Sequence, residues 1–118
     1  MSIAATALGV IRVGVGSAAL VVPELLVKRL GGDPEKNAAA IYPLRMFGVR
    51  TVFLGAELLV NSGAEQHRVA QRGIVIHGSD VLAAVLAGRS GALPPRAAKT
   101  AIAISSINLA LALLASRR

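Results

Sequence analysis

From Ala101 to Ala115 the chain reads AIAISSINLALALLA, a run whose only polar members are Ser105, Ser106 and Asn108. A helix in water keeps a polar face opposite its buried stripe, and this segment has no charged face in any register. Three further stretches match it in length: Ile3 to about Val22, about Ile41 to Val60, and about Val69 to Ala87, with the fourth running from Ala97 to Ala115. Each holds about 19 or 20 residues, the length that crosses a hydrocarbon layer of about 30 Å at 1.5 Å per residue. The predicted fold class is therefore all-α. It is a transmembrane four-helix bundle with short loops, one four-span membrane domain over residues 1–118.

The rest of the composition agrees. Hydrophobic residues make up 54% of the chain and charged residues 16%, against about 25% charged in an ordinary soluble domain. A domain this small has a large surface for its volume and would need more polar residues to cover it. Cysteine is absent, which excludes a disulfide framework and argues against a structural zinc site. The formal net charge is +7. Lys and Arg border the hydrophobic stretches without interleaved aromatics, a distribution suited to anionic headgroups and not to nucleic acid. The first stretch lacks a basic leader and carries Arg12 at its centre, so it reads as a span and not as a cleaved signal peptide.

The connections fit this plan. PELLVKRL, Pro23 to Leu30, opens on a proline and places Glu24 four residues before Lys28, which predicts an interfacial helix ended by Gly31-Gly32. Asp33 as an N-cap and Pro34 at the first helical position predict that the second long helix begins near residue 34 and bends at Pro43. Tyr42 falls where an interfacial aromatic is expected. Asn61 to His67 and Gly88 to Pro95 read as short hairpins, which make consecutive helices antiparallel neighbours and put both termini on one side. Lys28, Arg29, Lys36, Arg89, Arg96 and Lys99 on one side, against Arg68, Arg72, Arg117 and Arg118 on the other, lean towards termini outside a bacterial inner membrane.

Charged groups inside a span are costly and mark candidate functional positions. Taking the later spans as 43–61, 69–87 and 97–115, Arg50 and Asp80 fall about 3 Å from the midplane on the same side, and Glu57 and Arg72 about 8 to 9 Å away on the other. Both coincidences predict ion pairs between the second and third spans. Arg12, Ser105 and Asn108 fall near the centres of their own spans, and His77 shares a face with Asp80 at i,i+3. The expected intramembrane polar network is thus Arg12, Arg50, Glu57, Arg72, His77, Asp80, Ser105 and Asn108. Pairs that only fasten helices together are the structural alternative. Arg45 is expected to snorkel or to meet a partner. Small residues four apart, such as Ala5 and Gly9, Gly14 and Ala18, and Thr51 and Gly55, favour close helix packing.

RMFGVRTVFLGAELL in the second span and RGIVIHGSDVLAAVLAGR in the third resemble a family of small bacterial four-helix integral membrane proteins of unknown function. The matching residues are Arg45, Phe47, Gly48, Arg50, Leu54 and Gly55, then Arg72, Asp80, Ala87 and Gly88, over residues 40–96. The resemblance implies a membrane fold and no activity.

No nucleophile elbow, phosphate-cradling glycine loop or histidine-rich cluster occurs, and no catalytic residue, cofactor or metal is expected; a small membrane oxidoreductase acting on quinones is the minor enzymatic alternative. The leading functional expectation is an accessory or stabilising subunit of a larger membrane complex. One alternative is a small oligomeric transporter or proton-coupled channel using Arg50, His77 and Asp80. Another is an intramembrane binder of lipid or a hydrophobic ligand. The expected partners are membrane lipids and other membrane subunits or further copies of the chain, without nucleic acid.

Overall fold

The computed structural model describes residues Ser2 to Arg117. Met1 and Arg118, the latter counted above among the terminal charges, lie outside the described residues. Among those described there are five α-helices and no strand: α1 (Ile3–Val21), α2 (Pro23–Arg29), α3 (Ile41–Val60), α4 (Gly63–Ser90) and α5 (Pro95–Ala115), with a single 3-10 turn at Ala38–Ala40. Three of them, α1, α4 and α5, are long and apolar enough to cross a membrane. The α3 helix has the length, at about 30 Å, but carries Arg45, Arg50 and Glu57.

Local chemistry explains most of the helix ends. Ser2 caps α1, its hydroxyl accepting from the Ala5 N–H at 3.1 Å. Pro23 and Pro95 stand in the first turns of α2 and α5, where a missing N–H costs nothing. Gly91 closes α4 in the left-handed region at φ +79. The exposed carbonyls at the end of α3 are taken up by side chains. Asn61 Nδ2 donates to Glu57 O at 2.8 Å, and Gln66 Nε2 donates to Leu58 O at 3.0 Å and Asn61 O at 3.1 Å. Asn61 thus caps the C-terminal end of α3.

Three boundaries differ from expectation. The second long helix begins at Ile41 and not near residue 34. Asp33 spends its carboxylate on the Glu35 N–H at 2.9 Å, while its carbonyl accepts from the Asn37 N–H and the Asn37 side chain, so it closes a local turn and starts no helix. Pro43 consequently falls in the first turn of α3, where it has no interior hydrogen bond to break. In the next connection only Asn61 and Ser62 lie between helices, and α4 reaches 28 residues, about 42 Å long, against the expected span of 69–87. Its first turns, Gly63 to Arg68, are polar, and its length exceeds a hydrocarbon layer of about 30 Å.

Packing sorts the four long helices into two close antiparallel pairs, α1 with α3 and α4 with α5, joined mainly by α1 against α5. Consecutive α3 and α4 meet only slightly, which corrects the expectation that they form a tight hairpin. The α1–α3 crossing runs on glycine. A Cβ on Gly48 would stand 2.6 Å from Gly16 O and 2.7 Å from Leu20 N, and one on Gly55 would stand 2.7 Å from Gly9 O. Two backbones therefore touch along a seven-residue spacing on each helix, and the dispersion gained there needs no hydrophobic driving force. Of the small residues four apart, Gly9 and Gly55 join this seam, while Gly14 has open space around it.

A small apolar core of Ala5, Leu8, Leu58, Val69, Ala70 and Ala112 closes one half of the bundle. Much of the remaining apolar surface points outward, including Ile3, Val10, Phe53, Val75, Leu82 and Ile107, each more than half exposed. A water-soluble bundle of this size would bury such groups, whereas a lipid-facing one exposes them.

Candidate functional site

The midpoints of the four long helices are all polar or charged. Arg12 is the central residue of α1 (Ile3–Val21), Ser105 that of α5 (Pro95–Ala115), and Arg50 and His77 lie at the centres of α3 and α4. The fold brings these four positions to one partly enclosed cavity of about 290 Å³.

Arg12 is its anchor. The residue is 2% exposed, and its long side chain crosses from α1 to α4, two helices whose backbones scarcely meet. Room for the guanidinium comes from Gly73 on α4, where a Cβ would stand 2.6 Å from Arg12 Nη2. One turn further on, His77 Nε2 accepts from Arg12 Nε at 3.2 Å and from Arg12 Nη2 at 2.9 Å. Arginine only donates, so this contact requires the lone pair on Nε2 and puts the ring proton on Nδ1. Nδ1 faces Asp80 Oδ2 at 3.4 Å. Arg12, His77 and Asp80 form a chain running from the buried interior to a carboxylate that is 46% exposed. Arg12 Nη1 and His77 Nδ1 have no hydrogen-bond partner, so two buried donor nitrogens stay unsatisfied and the step from His77 to Asp80 is a close approach and not a hydrogen bond.

Around this chain stand Arg50 and Thr51 from α3 and Ser105 and Asn108 from α5, with Phe47, Leu54, Ile76 and Ile104 among the apolar walls. Of the expected network, Arg12, Arg50, His77, Asp80, Ser105 and Asn108 therefore line one cavity. Glu57 and Arg72 do not; Glu57 is half-buried towards the end of α3 and Arg72 is exposed on α4.

Neither expected ion pair forms. Among the described residues the one pair of opposite charges in contact is Arg68 with Glu65 at 3.1 Å, while His77 Nδ1 stands 3.4 Å from Asp80 Oδ2. Arg50 and Asp80 share the cavity without pairing, and Glu57 and Arg72 share only a depth. Matching heights on neighbouring stretches of sequence do not bring side chains together when the two helices pack mainly on others. The contact between Arg12 and His77 was missed because charges were matched across a presumed α3–α4 hairpin. Its signal was nonetheless present, since both residues occupy the middle of their spans.

No group of three or more histidine, aspartate or glutamate side chains that could hold a metal occurs among the described residues. The site offers cationic, amide and hydroxyl donors beside apolar walls. No family model, curated protein or solved structure matches the chain, and the resemblance carried by the two motif segments adds nothing to the reading of this site.

Proposed function

We propose that this is a small multi-pass membrane protein that binds a small amphipathic ligand inside the bilayer, in the cavity shared by its four long helices. The observation that carries the reading is a ring of polar midpoints around an otherwise apolar space. A membrane protein that needed only stability would gain from apolar packing there, because polar groups at mid-bilayer depth are expensive. Ligand sites with apolar walls and a few placed polar groups have this composition. The reading takes α3 as a fourth span, with Arg50 turned to the cavity and with Arg45 and Glu57 near opposite ends.

Native mass measurement after extraction in mild detergent tests the binding. We expect small molecules to be retained by the native chain and lost from Ala83→Phe, which adds a ring at an exposed residue of the cavity wall. Identical ligand-free masses for both, with unrelated polypeptides co-purifying, would favour the accessory-subunit role instead.

The topology belongs to the same proposal. Four spans require both termini on one side, and the loop charges lean towards the outside of a bacterial inner membrane. Reporter fusions at the two ends are expected to give the same signal. Opposite signals would remove α3 from the membrane and leave three spans.

A further inference from the structure

The charges lining the cavity do not balance. Two guanidiniums, Arg12 and Arg50, face it with one carboxylate, Asp80. The carboxylate is already turned to His77, and His77, its Nε2 accepting two Arg12 N–H groups, supplies no anionic partner. Arg50, an exposed residue at the mouth of the cavity, makes no ion pair, and Arg12 Nη1 has no hydrogen-bond partner. Glu57, two turns along α3, lies outside the cavity lining and pairs with neither arginine, although its charge reaches Arg12 as that of Asp80 does. A surplus cation at mid-bilayer depth is a standing cost that an anionic guest would offset.

Resting on the ligand-binding reading above, we infer that the occupant is an amphipathic monoanion, a carboxylate carrying a hydrocarbon chain. Its head would meet donors among Arg12, Arg50, Thr51, Ser105 and Asn108, and its chain the apolar lining of Phe47, Leu54, Ile76 and Ile104. A planar guanidinium matches a carboxylate through two parallel N–H bonds. At about 290 Å³ the cavity is at the small end of ligand sites. It admits one head and a short chain, and a multiply charged anion would overcompensate the single surplus charge.

Octanoate and octanol, equal in chain and different in charge, test this in nanodiscs of phosphatidylcholine, with radiolabelled ligand counted against empty discs. Octanoate is expected to bind at least about tenfold more tightly than octanol. Arg50→Gln should bring octanoate down to the level of octanol, and Arg50→Lys, which keeps the charge and loses the fork, should fall between. Should Arg50→Gln fail to fold, the octanoate–octanol difference in the native chain decides alone. Equal binding of both, abolished by Ala83→Phe, overturns the anionic assignment and leaves ligand binding standing. Binding of neither, to the native chain or to Ala83→Phe, overturns both. Displacement of octanoate by equimolar chloride or inorganic phosphate would show that a free inorganic anion fills the site, and would overturn the need for a chain.

Discussion

Gly48→Leu is expected to force α1 away from α3 and to remove most of the folded protein recovered in detergent. The new Cβ would meet Gly16 O at 2.6 Å and Leu20 N at 2.7 Å. Both are helix backbone atoms, so no side chain can swing aside to make room. Overpacking of a core typically costs about 1–3 kcal/mol, and rigid backbone on the facing side places this case at or above the upper end. Nor can the loss be confined, because α1 also joins α3 to α5. Gly14→Leu is the matched control: the same change on the partner helix α1, where nothing lies within 4 Å. It should be neutral, or more stable by up to about 1 kcal/mol through helix propensity. Melting curves of the two variants in one detergent decide the matter. A native-like transition for Gly48→Leu would mean that α1 and α3 do not cross at their glycines.

The second large effect is expected at His77. His77→Leu takes away both acceptor contacts of a guanidinium that is 2% exposed. Leaving a buried donor without its acceptor costs about 1–3 kcal/mol, and more when the donor is charged. Arg12→Met strands only a neutral imidazole nitrogen, at about 1–3 kcal/mol. With both replaced, neither penalty remains, so the double variant should recover much of the loss and show a coupling of about 2 kcal/mol or more. The experiment is run in buffer free of carboxylates, and the coupling should change little with ionic strength because the pair is shielded from solvent. Additive losses would show that Arg12 does not bond to His77.

How much of this was legible in advance follows from what each residue responds to. Long apolar helices announce themselves because hydrogen-bonded backbone and apolar side chains are the only combination a hydrocarbon layer accepts. Proline and glycine marked α2 and the turn before α5 because their backbone preferences act locally. Boundaries failed where a residue had two local uses. Asp33 is as good in a turn as at a helix start, and the turn prevailed. The polar first turns of α4 were missed because hydropathy reports the part of a helix in lipid and is blind to its continuation into water. Depth along a helix was also legible, which is why six of the eight network residues do meet at one cavity.

The order of residues thus settled which segments are helical, how long the apolar runs are, and that polar groups sit near their centres. These depend on rise per residue and on transfer energies, both properties of a single helix. Tertiary packing alone decided which helices are neighbours and how each is rotated. Gly9, Gly16, Gly48 and Gly55 let α1 and α3 close until their backbones touch, and that contact separated α3 from its neighbour in sequence. Arg50 and Asp80 were left facing across a cavity in place of pairing, while Arg12 bridged to His77 through the gap left at Gly73. Height is read along one axis, whereas partnership depends on rotation about that axis and on a second helix.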